Sequence, residues 1–136
     1  MPDFLLFTGA GPIVVDVKPP GHLIKPVVAQ TFAWTRKAIE ERGWSYEVWT
    51  GVTPTLLANI QFLAGYRRRR LFRVEVVERM SAPDLMGLTV AEAISRQDGY
   101  PPEIARSALM HVLWRQHLTV DLSRALSGRH VLEGPP

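Results

Sequence analysis

The side chains best placed by type and spacing to do chemistry stand at the front of the chain: Asp3 after Pro2, then Asp16-Val17-Lys18. Between them lie the apolar run Phe4 to Phe7 and the stretch Gly9-Ala10-Gly11-Pro12, together the pattern of a β-hairpin. Parity decides whether the three charged groups can meet. If Phe4 to Thr8 pairs with Ile13 to Lys18 around a loop of Gly9 to Pro12, then Thr8 faces Ile13 and Asp3 faces Lys18. Side chains alternate along a strand, so Asp3, Asp16 and Lys18 would share one face. A slip of a single residue would separate them.

Two neighbouring carboxylates repel each other, and a hard divalent cation relieves that repulsion. Mg²⁺ takes oxygen ligands, typically one or two protein carboxylates with water and substrate phosphate, and Mn²⁺ is an expected substitute. A bound metal polarises a phosphoryl oxygen and acidifies a coordinated water. A lysine beside that water can orient it, help deprotonate it, or stabilise charge building on phosphate. The spacing by itself fits equally well an edge hairpin whose acids are solvated strand ends.

The elements that must position this trio are legible in outline. Pro19-Pro20-Gly21 breaks the second strand. Pro26 suits a first helical turn, and Val28, Phe32, Thr35 and Ile39 recur at helical spacing until Gly43. Trp44 to Thr50, rich in aromatic and β-branched residues, reads as a strand. A strand, a helix and a strand favour a right-handed crossover to a parallel neighbour. Thr53-Pro54 opens a second helix with Leu56, Ile60 and Leu63 on its apolar face. The expected first lobe, residues 1–66, is a small mixed α/β sheet with flanking helices.

Residues 67–80 read as a basic, β-rich connector ended by Ser81-Ala82-Pro83, and residues 81–136 as a second lobe. There Thr89-Val90-Ala91-Glu92 fits a capping box on a short helix stopping at Gly99. Pro101-Pro102 precedes a longer helix with Ile104, Ala108, Leu109, Val112 and Leu113 as its stripe. Leu118 to Leu122 and His130 to Glu133 would close the lobe as a strand pair, giving a winged-helix-like α+β arrangement. A winged helix can set one helix in the DNA major groove; Arg106, Ser107, His111 and Arg115 would be its polar positions here, read as a wet face in preference to a reading face.

Charge is uneven. The net +3 lies wholly beyond residue 66, where eleven basic residues face eight acidic ones, against five of each before it. Arg67, Arg68, Arg69, Arg70 and Arg73 form the densest run, and such a run neutralises phosphates in a sequence-independent, salt-sensitive way. No cysteine is present, so disulfides and thiolate metal sites are excluded. The apolar runs are too short to span a bilayer and the start lacks a signal-peptide pattern, so a cytoplasmic protein with no membrane partner is expected.

The hairpin with Pro2-Asp3 and Asp16-Val17-Lys18 resembles the core motif of the PD-(D/E)XK nuclease superfamily. With the helical segment around Phe32-Ala33-Trp34, Gly43 to Thr50, the helix through Leu57, Asn59, Ile60 and Leu63, the basic stretch from Tyr66, and the closing His117 to Leu122, the order is similar to a TnsA-like endonuclease subunit of a heteromeric transposase. The resemblance implies a restriction-endonuclease-like core followed by the winged-helix-like lobe. It implies Mg²⁺ held by Asp3, Asp16 and the Val17 carbonyl, and Lys18 as the catalytic lysine. It also implies cleavage of phosphodiester bonds at transposon ends, with DNA, a partner transposase subunit and an AAA+ regulator as partners. Family members carry a glutamate-bearing helix, and usually a strand, ahead of the Pro-Asp motif. Here Met1 immediately precedes Pro2, so a shortened front is expected. The alternatives are a catalytically inactive truncated relative acting as an interaction module, and a winged-helix DNA-binding protein whose hairpin is only structural.

The remaining residues have quieter readings. His22 reads as a loop residue, His111, His117 and His130 lack a metal-ligand spacing, and the tryptophans at 34, 44, 49 and 114 read as core. Gln30 sits on the helix after Lys18, where it would support the site from behind.

Overall fold

In a computed structural model that describes residues 2–19 and 26–136, the chain forms two compact units, Met1–Val52 and Thr53–Pro136. His22 and the Pro20-Gly21 part of the expected strand break lie outside the described residues. The boundary falls ahead of the second helix rather than after it, because that helix packs on the last helix of the chain. The expected domains 1–66, 67–80 and 81–136 are therefore redrawn.

In the first unit, β1 (Phe4–Thr8) and β2 (Gly11–Val17) pair antiparallel, and β2 pairs parallel with β3 (Ser45–Trp49), in the order β1-β2-β3. The connection from β2 to β3 carries α1 (Pro26–Glu40), as a parallel neighbour requires. This is a small mixed α/β sheet. Its hairpin is tighter than the spacing suggested: Thr8 pairs with Gly11, leaving only Gly9-Ala10 between the strands. Gly11 takes φ +116°, which glycine alone adopts freely. The Thr8 hydroxyl donates to the Gly11 carbonyl at 2.8 Å and accepts from the Ala10 amide. Pro12 lies beyond the end of β3, whose pairing begins at Ile13, so a central strand tolerates it.

Val14 and Val15, on opposite faces of β2, are both buried. Arg36 of α1 lies over the Tyr46 ring, 5.3 Å from its centroid, and donates to the Tyr46 carbonyl at 3.2 Å. The helix thus lies on the face that Tyr46 shares with Val14. β1 remains exposed along its whole length, with Phe7 at 79%. Trp34 and Trp49 are also exposed, contrary to the expectation that all four tryptophans would be core. No residue of α1 is fully buried, since a three-stranded sheet offers little surface to cover.

The second unit comprises α2 (Pro54–Ala64), α3 (Val74–Met80), α4 (Val90–Ser95) and α5 (Pro102–Trp114), with 3-10 turns at Arg69–Leu71 and Pro83–Leu85. The β-rich connector is not formed. Val76 and Met80, four apart, are both buried, so packing against α5 overrides the β preference of the valines. Predicted helix starts at Thr53 and Thr89 hold: Thr53 accepts from the Leu56 amide, and Thr89 and Glu92 form the reciprocal capping box. Hydrogen bonds from the Thr89 amide and then its hydroxyl keep the Glu92 carboxyl below its usual range. The closing strands reduce to single antiparallel bridges, Thr119 with Glu133 and Thr89 with Val131.

α5 is the hub, burying seven consecutive or near-consecutive residues from Ala105 to Leu113. Asn59 of α2, read only as helical from sequence, is 6% exposed. Its amide nitrogen donates to the carbonyls of Leu122 and Arg124 at 2.9 and 2.8 Å, and its oxygen accepts from the Leu126 amide at 3.1 Å. One side chain thereby satisfies three backbone groups of a segment with no regular structure. Asn59→Ala strips partners from all three, and buried unsatisfied groups cost about 1–3 kcal/mol each before water relieves some. We expect a loss of roughly 2–4 kcal/mol, read as a lower urea midpoint for the Thr53–Pro136 unit.

Candidate functional site at the hairpin end

The ladder ends with Phe4 opposite Val15, and Asp3 just beyond it donates its amide to the Val15 carbonyl at 3.1 Å, so Asp3 does not stand opposite Lys18 as expected. The slip from the expected register is two residues. Because two is the period of a strand, the faces within the ladder are preserved, and Asp3 meets the β2 end where the chain passes from Asp16 to Lys18. The Asp3 Oδ2 atom accepts from the Val17 amide at 2.8 Å, and the Lys18 ammonium lies 3.4 Å from the same oxygen. The Val17 amide bond lowers the Asp3 pKa most, with Lys18 adding to it. The Val17 N–H is thus engaged by Asp3, while its carbonyl is the atom the resemblance implies for the metal. The Lys18 amide itself is held by the Trp49 carbonyl at 2.9 Å, which ties the lysine's backbone to β3.

Asp16 is in a different environment. It is 6% exposed and accepts from the Tyr46 hydroxyl at 2.5 Å. Burial first, and the Asp16 bond second, push the Tyr46 phenol far above its usual range, so it stays a proton donor to the carboxylate. Tyr46 is the residue of the site that sequence reading passed over. It was legible as a strand residue, but its reach to Asp16 depends on the parallel register, in which Tyr46 pairs with Val14 and Val48 with Asp16.

The donor set can be tested against a metal. Among the described residues no group of three or more His, Asp or Glu side chains is placed to hold one. The two carboxylates each engage their partners through Oδ2, leaving Oδ1 without a hydrogen-bond partner among the described residues. A pair of open carboxylate oxygens fits a hard cation that keeps most of its waters. Gln30 is exposed on α1, with no side-chain hydrogen bond among the described residues.

Arg67, Arg68, Arg69, Arg70 and Arg73 are all exposed in the second unit. Arg67 donates to the Ala64 carbonyl at 2.8 Å, at the end of α2; Arg69 and Arg70 lie on the 3-10 turn, and Arg73 precedes α3. Of the candidate reading-helix residues, Arg106 and Arg115 are exposed and Ser107 is half-buried, while His111 is 2% exposed and so forms no wet face.

No known family model matches this chain, and no curated protein matches it.

The lowered Asp3 pKa gives a signed expectation. Its contribution to stability is fully present above the unfolded value of about 3.9 and is lost as pH falls through the lower folded value. The stability gap between the parent chain and Asp3→Ala should therefore be constant from pH 7 to about pH 5 and close progressively below about pH 4, as followed by urea melts on tryptophan fluorescence.

Proposed function

We propose that this chain is a metal-dependent DNA endonuclease subunit of a heteromeric transposase, similar to TnsA, acting on phosphodiester bonds at transposon ends. The observation that carries this reading is Asp3 at the hairpin end, bound to the Val17 amide at 2.8 Å with Lys18 3.4 Å away, next along the chain from the buried Asp16. Asp3 and Asp16 would hold Mg²⁺ or Mn²⁺, helped by the Val17 carbonyl, on a restriction-endonuclease-like core of which the three-stranded sheet is a part. When bound, the ion supplies polarisation of the phosphoryl oxygen and an acidified water.

The chain's own residues divide the remaining work. Lys18 holds the attacking water by hydrogen bonding and stabilises negative charge on the phosphate as it builds. Tyr46 fixes the Asp16 carboxylate so that its free oxygen points one way, and α1 keeps Tyr46 in place through Arg36. The arginines from Arg67 to Arg73 supply phosphate contacts that carry no sequence information. A partner transposase subunit would cut the complementary strand, and an AAA+ regulator would engage the second unit.

A second reading, an inactive relative serving as a winged-helix-like DNA- or partner-binding module, is favoured by the self-contained core of the Thr53–Pro136 unit. Its fragment test begins at Thr53, because residues 81–136 alone would discard Leu63, Val76 and Met80 from that core.

Calorimetric titration with Mn²⁺ separates the readings. The nuclease reading expects saturable binding, lost in Asp3→Ala and Asp16→Ala and weakened about tenfold in Tyr46→Phe. Metal-dependent cleavage of transposon-end DNA, assayed with partner subunits, should fall by at least about a thousandfold in Asp3→Ala and Lys18→Ala while far-UV spectra stay unchanged. Undiminished cleavage in both variants would sink the assignment.

A further inference from the structure

His111 sits near the C-terminal end of α5 and is among the most enclosed polar residues of the chain, at 2% exposure. Its Nδ1 lies 2.6 Å from the Tyr66 carbonyl oxygen. A carbonyl only accepts, so Nδ1 carries the proton. The ring is stacked on Phe72 at a centroid distance of 4.9 Å and an interplanar angle of 27°. The tautomer and the orientation are thus both fixed, and Nε2 is left with no hydrogen-bond partner among the described residues. The buried side-chain atom without a partner among the described residues is His130 Nε2, so the unpaired His111 Nε2 is not sealed from solvent.

The ring lines a cavity of about 280 Å³, together with Arg69, Arg115, His117 and a single acid, Glu78. At about 30 Å³ per water this is room for a tetrahedral oxyanion and several waters. None of the ion pairs among the described residues involves Arg69, Arg115 or Glu78. The cations are not needed to satisfy the helix ends around them. The amides of Gln116 and His117 already bond the Leu113 and Val112 carbonyls of α5, and Ser81 bonds the Val77 and Glu78 carbonyls of α3 through its hydroxyl and amide. Gln116 takes φ +57° to make this closure, a conformation that costs a non-glycine residue about 1–2 kcal/mol, and it turns the chain so that His117 borders the cavity.

We propose that this cavity is a binding site for a phosphate group, held by the Arg69 and Arg115 guanidiniums and the His117 ring and oriented by His111 Nε2. Guanidinium forks suit tetrahedral oxyanions. Nε2 accepts from a protonated phosphate oxygen or, as imidazolium, donates to an unprotonated one. The site belongs wholly to the second unit and shares only Arg69 with the DNA-contacting arginines of the nuclease reading. A free phosphate and a nucleic-acid backbone phosphate share this chemistry.

The test uses the full chain and begins with inorganic phosphate, followed by calorimetry and by the His111 ring resonances in NMR. We expect saturation in the range of about 0.1–10 mM, a shift of the His111 signals, and at least about a tenfold loss of affinity in the Arg69→Ala/Arg115→Ala double variant. Both arginines are exposed, so this variant should fold. His111→Phe keeps the stack on Phe72 and should lose the orientation, seen as weaker binding at an unchanged far-UV spectrum. A short DNA duplex then separates the two sources. A salt slope reduced by about one in the double variant assigns the site to backbone phosphate; an unchanged slope, with phosphate binding lost, assigns it to a free anion. No saturable binding by the parent chain, or equal phosphate affinity in the double variant, would overturn the site.

Discussion

The hairpin register is the constraint on which the candidate site depends. Every side chain on β1 and β2 owes its face to the pairing of Thr8 with Gly11. Shortening the loop to Gly9-Ala10 moves the partners by two residues without exchanging faces, and Asp3 still reaches Lys18. An odd change in loop length would turn Phe4 and Leu6 to the face that carries Asp16. The glycine conformation at Gly11 therefore fixes which residues of β1 and β2 face each other as much as it makes the turn.

The same register gives the two acids opposite surroundings. Asp3 is bound by an amide and a lysine at a partly open strand end, whereas Asp16 is buried and bound by a phenol. One carboxylate is stabilised by positive charge and the other by a neutral dipole. Two chemically identical groups at one end of the hairpin thus meet different environments.

Much of the architecture was legible because it is written in local signals. Thr53-Pro54 and the Thr89/Glu92 box mark helix starts through hydrogen bonds spanning three residues, and the β2-α1-β3 order follows from the length of the crossover. The parts that were not legible depend on distant neighbours. Val74 to Val77 read as a strand until α5 supplies a surface for Val76 and Met80. Asn59 and His111 read as ordinary polar helix residues, since nothing nearby announces the Leu122–Leu126 segment or the Tyr66 carbonyl as their partners. Tyr46 escaped for the same reason: parallel pairing is set by a crossover through α1 and leaves no mark at the tyrosine itself. The buried polar contacts, not the apolar stripes, carried the information that sequence patterns lacked.

The open edge of β1 bears on the order of assembly. A hairpin with a two-residue turn closes in microseconds, while the β2–β3 pairing must wait for the crossover and its larger loop-closure entropy. Before and after that step Phe4, Leu5, Leu6 and Phe7 stand along a strand whose outer edge is open, with no charge or proline among them to deter another chain. This segment is the one on which holdase chaperones would act, and the Met1–Val52 unit rather than the helical one sets how concentrated the folding protein can become before it associates wrongly.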